Sequence, residues 1–232
     1  MSRNSSSLEV VEIEPASRPD APGSMPCANG LLLVLSAPSG GGKTTLGEQL
    51  MKTDQRVRRA VTCTTRAPRA GEREGVDYYF LEPANFQFRA AQSEFLEHAL
   101  VHGHHYGTLK SEVLSKFRDG FDVLLSVDVQ GAAALKSAAQ QDAALQKALV
   151  TVFLAPPSLS ILEQRLRSRG TDAEGVIQRR LSGARAELAR WREYDYLIMS
   201  EAISSDLRRM QSIVEAERLR STRVVTPTAS LQ

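Results

Sequence analysis

A glycine-rich stretch that ends in a lysine and two threonines is the part of the sequence best suited to chemistry. Residues 37–45 read APSGGGKTT and follow the apolar run Leu31–Leu35. Glycines let backbone N–H groups turn inward around phosphate oxygens, and a helix N-terminus behind them favours negative charge. Lys43 would then reach the β- and γ-phosphates, and the Thr44 hydroxyl would ligate Mg²⁺. We therefore predict a nucleoside triphosphate site formed by Ala37, Pro38, Ser39, Gly40, Gly41, Gly42, Lys43, Thr44 and Thr45.

This loop leaves two questions open. The strict phosphate-loop pattern has glycine at the position of Ala37, and alanine is tolerable there if its φ angle is negative. A purely structural glycine-rich turn is the alternative, but the buried strand expected before the loop and the helix expected after it favour phosphate binding. Motors, GTPases, transporters and small-molecule kinases all share such loops, so the acceptor must be identified from other residues.

A second candidate anion site lies in TCTTRAPRAGEREGVDYYF, residues 62–80. Arg66 and Arg69 lie three residues apart around Pro68, which restricts the local backbone. Two guanidinium groups held close together can bind one phosphate, and Tyr78 adds a hydroxyl donor. A solvated basic loop is the alternative, and the hydroxyl and aromatic residues between the charges make it the weaker one.

A third cluster is basic and surrounds the segment Ser168–Gly175. Mobile arginines that close over a transferred phosphoryl group would stabilise its charge and exclude water. The members are Arg165, Arg167, Arg169, Arg179 and Arg180.

The elements that must position these residues follow from hydrophobic patterning. Short apolar runs predict buried parallel strands, and periodic segments between them predict helices. The predicted strands are Leu31–Leu35, Phe121–Val127, Val150–Leu154 and Tyr196–Met199, with weaker candidates at Val57–Thr62 and Tyr78–Leu81. The predicted helices are Thr44–Met51, Gln130–Gln141, Leu159–Arg169 with Ser158 as N-cap, Ile177–Arg190 and Asp206–Leu219. This alternation predicts an α/β fold with a parallel sheet and a small strand-rich insertion at residues 62–110.

Composition narrows the function classes. The chain has 232 residues, 42% of them hydrophobic, and a formal net charge of only +2. It can bury one substantial core, and no global basic field argues for nucleic acid or an anionic membrane as a partner. No apolar run is long enough to span a bilayer, and no secretory signal is predicted. Cys27 and Cys63 show no metal-binding spacing and no disulfide framework, so a reduced, cytoplasmic location is expected. The four histidines also lack the spacing of a zinc site.

The two termini are expected to lie outside the fold. Residues 1–28 are rich in Ser, Pro, Glu and Ala and are predicted to be a disordered tail, with Met25 as an alternative start. Residues 221–232 are polar and predicted to be a flexible tail. The sequence leaves open whether the protein is a monomer or a homodimer.

Several blocks in order along the chain resemble the guanylate kinase family, in its bacterial form. They include APSGGGKT (37–44), TTRAPRAGE (64–72), FLEHA (95–99), YGT (106–108), VDVQG (127–131) and RLRSRGTD (165–172). The resemblance covers about residues 30–220. It implies a three-layer phosphate-loop nucleoside monophosphate kinase that has a parallel core sheet (29–60 and 115–220), a small mixed-β GMP-binding lobe (about 61–112) and a helical lid (about 163–182).

The resemblance also implies the reaction ATP + GMP ⇌ ADP + GDP with Mg²⁺, with dGMP as a further acceptor. The implied catalytic residues are Lys43, Arg165, Arg169 and Arg180. The implied GMP-binding residues are Thr62, Arg66, Arg69, Tyr78, Glu97, Tyr106, Thr108 and Asp128, and the implied metal-binding residues, partly through water, are Thr44 and Asp128. Glu97 can accept from both donors of the guanine edge, which adenine lacks, so it would select the base.

Two positions depart from the family pattern. Ser126 stands where an acidic residue is usual, and Ser200-Glu201 replaces the usual Asn-Asp after the last strand. A guanylate-kinase-like interaction module without catalysis and a phosphate-loop kinase for another acceptor remain as alternatives. The retained Lys43 and Thr44 argue against the first of these, and Glu97 argues against the second.

Overall fold

The computed structural model describes residues 30–101, 103–168 and 174–223. The predicted tail at 1–28, Arg169 of the basic cluster and residues 224–232 of the predicted C-terminal tail lie outside the described residues. None of the helices in the described ranges is both long and apolar enough to cross a membrane.

In chain order the elements are β1 (Leu32–Ser36), α1 (Lys43–Thr53), β2 (Val57–Arg59), β3 (Cys63–Thr64), β4 (Tyr79–Phe80), α2 (Pro83–Ala91), β5 (Phe95–Val101), β6 (His104–Leu109), α3 (Lys110–Arg118), β7 (Asp122–Val127), α4 (Val129–Ala139), α5 (Ala143–Ala148), β8 (Leu149–Ala155), α6 (Leu159–Ser168), α7 (Glu174–Ala189), β9 (Tyr196–Met199) and α8 (Ile203–Arg218), with a short 3-10 turn at Trp191–Glu193.

A parallel sheet with strand order β2-β7-β1-β8-β9 forms the centre of the described fold. All five residues of β1 are buried, because helices cover both faces of the sheet. Leu31, Leu33 and Leu35 pack toward α1 and α8, whereas Leu32 and Val34 pack on the opposite face with Leu135 of α4. The predicted α/β fold and its three-layer arrangement are therefore confirmed.

The register of the central strands brings two loops together. Leu35 pairs with Ser126, and Ser36 pairs with Val127. The glycine-rich loop that follows β1 therefore lies beside the carboxyl end of β7, where Asp128 begins the connection to α4. Ligands bind at this edge in open parallel sheets.

A second, mixed sheet is inserted between β2 and β7, with strand order β4-β3-β6-β5. Strand β3 is parallel to β4 and antiparallel to β6. This sheet is the strand-rich insertion that the sequence predicts at 62–110. The sequence did not predict α2, α3 or the long β5–β6 hairpin, and the hairpin has a register shift between Phe95 and Glu97 that interrupts the alternation of its side chains.

Helices α6 and α7 form a pair beside the glycine-rich loop. Their interface is a small apolar cluster of Leu162, Leu166, Ile177 and Ala184. The predicted cap of α6 is confirmed, since the backbone N–H of Ile161 donates to Ser158 Oγ over 3.2 Å.

The far end of the core is tied by Arg218 of α8, which bridges Asp54 at 2.7 Å and Asp122 at 2.5 Å.

Candidate active site

The glycine-rich loop has the conformation that anion binding requires. Gly40 and Gly42 have φ angles of 85° and 99°, which side chains rarely adopt, and a Cβ on Gly41 would lie 2.8 Å from that of Ala37. Within the described residues Ser93 alone has a positive φ without being glycine, so Ala37 needs no left-handed backbone. The substitution of glycine by alanine at this position is therefore without strain.

Helix α1 begins directly behind this loop, at Lys43. No side chain caps its N-terminus, where Gly42 is the capping residue, so the first-turn N–H groups point toward the loop without a side-chain acceptor. The Lys43 ammonium folds back and donates to the carbonyl of Ala37. Thr44 and Thr45 are exposed at the same end of the helix. Loop, helix end and ammonium form one positive concavity suited to polyphosphate.

A cavity of about 270 Å³ joins this loop to the inserted sheet. Ala37, Ser39 and Lys43 line it from the core, and Asp128 lines it from the end of β7. Thr62, Tyr78, Glu97 and Tyr106 line it from the inserted lobe. Residues of the predicted donor and acceptor sites therefore face a single cavity, although they come from widely separated parts of the chain.

Glu97 is a buried carboxylate at the inner end of this cavity. It is 6% exposed and pairs across the hairpin with fully buried Thr108, whose hydroxyl donates to Glu97 Oε1 over 2.7 Å. Burial raises the pKa of Glu97 to about 7, and the negative charge of Asp128 adds to the rise. Gly131 of α4 approaches it closely, since a Cβ there would lie 3.0 Å from Glu97 Oε2. A ligand that donates hydrogen bonds to this carboxylate would offset the free-energy cost of burying its charge.

Arg66 lies beside Tyr78, which lines the cavity together with Tyr106. Its guanidinium donates to Glu72 Oε1 over 2.9 Å and lies 5.4 Å from the ring centre of Tyr78. The ion pair with Glu72 raises the pKa of Arg66 further above its ordinary value. The ring of Tyr78 is 6.1 Å from that of Tyr106 in an edge-on arrangement. Tyr78 and Tyr106 line the cavity, and Arg66 lies behind them without lining it. A cation beside two phenol groups is suited to a phosphate monoester.

The remaining predicted residues have different surroundings. Arg69 is exposed and does not line the cavity, and its backbone N–H donates to Glu72 Oε2 over 2.7 Å. Arg180 of α7 donates to Ser39 Oγ over 3.4 Å, so the helix pair contacts the glycine-rich loop. Arg165 is half-buried near the end of α6. Asp128 uses Oδ1 to cap α4, accepting from the N–H of Gly131 over 2.9 Å.

Two carboxylates of the site were not predicted from the sequence. Glu72 pairs with Arg66, and its position six residues later in the same basic block was the available signal. Glu187 of α7 lines the cavity, but its surroundings in the sequence indicate only a polar position on an amphipathic helix.

Comparisons with known proteins agree with this geometry. A sequence model of the guanylate kinase family matches residues 29–217. The chain is 44% identical over 194 residues to the guanylate kinase of Maricaulis maris (strain MCS10), covering 84% of this chain and 86% of that one. It is 47% identical over 192 residues to the guanylate kinase of Anaeromyxobacter dehalogenans (strain 2CP-C), covering 82% of each. Its fold matches the crystal structure of guanylate kinase from Anaplasma phagocytophilum with a TM-score of 0.68 at 31% identity, covering 87% of this chain and 92% of that chain.

Proposed function

The chain belongs to the guanylate kinase family, and we propose that its cavity transfers the γ-phosphoryl group of ATP to GMP or dGMP, giving ADP and GDP or dGDP. The observation that carries this proposal is the single cavity lined by the phosphate loop on one side and by Glu97 and Tyr106 on the other. Positioning two phosphate groups in line within one cavity is the main requirement of phosphoryl transfer. The reaction belongs to purine nucleotide metabolism and returns GMP to the diphosphate pool.

Recognition of the guanine base rests on Glu97. The base has donors at N1 and N2, and a buried carboxylate accepts from both, while Thr108 holds one of its oxygens in place. Adenine lacks this pair of donors and would leave the buried charge unpaired. Thr62, at the cavity wall, contributes a further hydroxyl.

The acceptor phosphate binds at the cavity wall formed by Tyr78 and Tyr106, beside Arg66. Arg66 offers a charged donor, and the two phenol groups add neutral donors on rigid stalks. Arg69, on the adjacent exposed loop, is assigned to the same phosphate. Asp128 lies between this acceptor side and the phosphate loop.

The donor set at the phosphate loop fits a magnesium ion. Thr44 and Asp128 offer oxygen ligands only, which hard cations prefer. With so few protein ligands assigned, the ion is held mainly by phosphate oxygens and water. When bound, Mg²⁺ supplies charge neutralisation on the transferring phosphate.

The chain's own cations complete catalysis. Lys43 binds the β- and γ-phosphates from the loop, and Arg180 contacts Ser39 from the lid side. We assign Arg165 and, from the family resemblance, Arg169 to stabilising the charge of the transferred group. The acceptor phosphate is already ionised, so no general base is required, and catalysis consists of positioning and electrostatic stabilisation. A non-catalytic interaction module is not favoured, because this donor half is retained.

A coupled assay across nucleoside monophosphates tests this function. With ATP and Mg²⁺, ADP should form rapidly with GMP and dGMP and only slowly with AMP, CMP or UMP. Equal rates with AMP and GMP would refute the role of Glu97, and no rate with any of the four bases would refute the proposed reaction.

A further inference from the structure

A second, smaller cavity of about 70 Å³ lies between α1 and the carboxyl end of β7. Thr44 and Glu48 line it from the helix, and Ser126 lines it from the strand. Ser126, Thr62 and Tyr78 also line the main cavity, so the two spaces adjoin. The proposed reaction assigns no role to Glu48, the glutamate that lines this small cavity.

The helix geometry directs Glu48 toward the metal side of the site. Glu48 follows Thr44 by four residues within α1, so the two lie on one face of the helix. Side chains of a helix lean toward its N-terminus, which brings the Glu48 carboxylate over the turn that contains Thr44. Gly47 makes the approach close, since a Cβ there would lie 3.0 Å from a Leu124 methyl group and 3.9 Å from Ser126 Oγ.

The charges around this cavity leave Glu48 available to a cation. Among the residues lining the cavity it is the sole acid. Its carboxylate has no hydrogen bond or ion pair with any other residue of the described ranges. Arg59 also lines the cavity, but its guanidinium donates to the carbonyls of Val76 and Asp77.

The end of β7 supplies little negative charge to the same place. Ser126 near the end of β7 is uncharged, and Asp128 follows directly after the strand as the N-cap of α4. Asp128 commits one carboxylate oxygen to the N-terminus of α4. On the strand side, a divalent cation at Thr44 would therefore have one negatively charged protein oxygen to bind, the second carboxylate oxygen of Asp128.

We propose that Glu48 is a positioning residue for Mg²⁺, holding the hydration shell of the ion from the α1 side in the place that the neutral Ser126 leaves uncharged. This inference rests on the proposed phosphoryl transfer, because the ion is that of the bound nucleotide. Carboxylates that orient a metal through water are common at such sites, and their loss typically weakens the metal tenfold or more.

The test measures ADP binding by calorimetry as a function of Mg²⁺ concentration and, separately, in EDTA. In the Glu48→Gln variant, the Mg²⁺ concentration that gives half of the tightening should rise about tenfold, while ADP affinity in EDTA should be unchanged or higher. The matched control is Glu215→Gln, which removes an exposed acid from α8 far from the site and should leave both values unchanged. Adding Ser126→Asp to the Glu48→Gln variant should restore the lower Mg²⁺ requirement.

Three results would overturn the inference. An unchanged Mg²⁺ requirement in Glu48→Gln would do so, as would an equal loss of ADP affinity in EDTA, which would indicate an effect on the nucleotide or helix. Failure of Ser126→Asp to restore any of the effect would show that Glu48 does not act in the place that Ser126 leaves uncharged. If ADP binding to the unchanged protein does not respond to Mg²⁺ at all, the proposed function fails together with the inference.

Discussion

Protonation of Glu97 should set the pH dependence of GMP binding. Burial raises the pKa of this carboxyl from 4.5 to about 7, so the free protein is half protonated near neutral pH. Guanine donates hydrogen bonds, and only the ionised carboxylate can accept two of them. The ionised fraction falls about tenfold between pH 8 and pH 6, so the apparent Kd for GMP should rise about tenfold over that interval.

The raised pKa of Glu97 also predicts how the stability of the fold depends on pH. A carboxyl whose pKa is raised by folding stabilises the fold fully below its unfolded value of 4.5, and this contribution is lost as the pH rises through about 7. The difference between the folded and unfolded pKa values of Glu97 corresponds to at most about 3 kcal/mol of unfolding free energy. Glu97→Gln removes the buried charge and keeps an acceptor for the Thr108 hydroxyl. Without GMP, this variant should therefore be more stable than the unchanged protein at pH 8, by up to about 3 kcal/mol.

Calorimetric titration with GMP at pH 6, 7 and 8, together with urea unfolding at pH 8, measures both effects. The phosphate of GMP also titrates with a pKa near 6. Glu97→Gln binds the same phosphate and is therefore the control for that contribution. Asp128 is the nearby acid that could shift the midpoint. Identical pH profiles for GMP binding in the two proteins, or a variant that is less stable at pH 8, would refute the reasoning.

Three further predictions concern other residues. Lys43→Ala should lower kcat by about 100-fold or more while leaving the thermal midpoint nearly unchanged, and a retained rate would contradict its phosphate role. Arg69→Ala should raise the KM for GMP with little change in the KM for ATP, since its side chain is exposed on the lobe; an unchanged KM for GMP in steady-state assays would remove it from the site. Arg218→Ala should destabilise the fold by about 3 kcal/mol or more, because it leaves Asp54 and buried Asp122 without their cation. A loss below about 1 kcal/mol in urea unfolding would count against this structural role.

The core of the fold was predictable because its strands are buried on both faces. Such strands form continuous apolar runs, as in Leu31–Leu35, and the glycine-rich loop follows the first of them directly. The strand-rich insertion was predicted only in outline. The β5–β6 hairpin carries polar residues that face the cavity and a register shift after Phe95, so its alternation is weak. Helix α2 begins at a proline that composition alone treats as a loop signal.

The candidate site could be proposed from the sequence where one local motif carries several of its residues, and less so where packing brings the residues together. Lys43 and Thr44 follow from spacing within the loop. Glu97 came from a resemblance between sequence blocks, because an isolated glutamate gives no sign that it will be buried beside Thr108. Glu187 and Glu48 belong to ordinary helix patterns, and only the tertiary structure shows that each lines a cavity.

Transfer of label from the γ-phosphate of ATP tests the central claim most directly. With radiolabelled ATP, Mg²⁺ and GMP, labelled GDP should form in a one-to-one ratio with ADP, and omission of GMP should leave the label in ATP. Release of the label as inorganic phosphate at the same rate with and without GMP would contradict a cavity that holds both nucleotides for direct transfer.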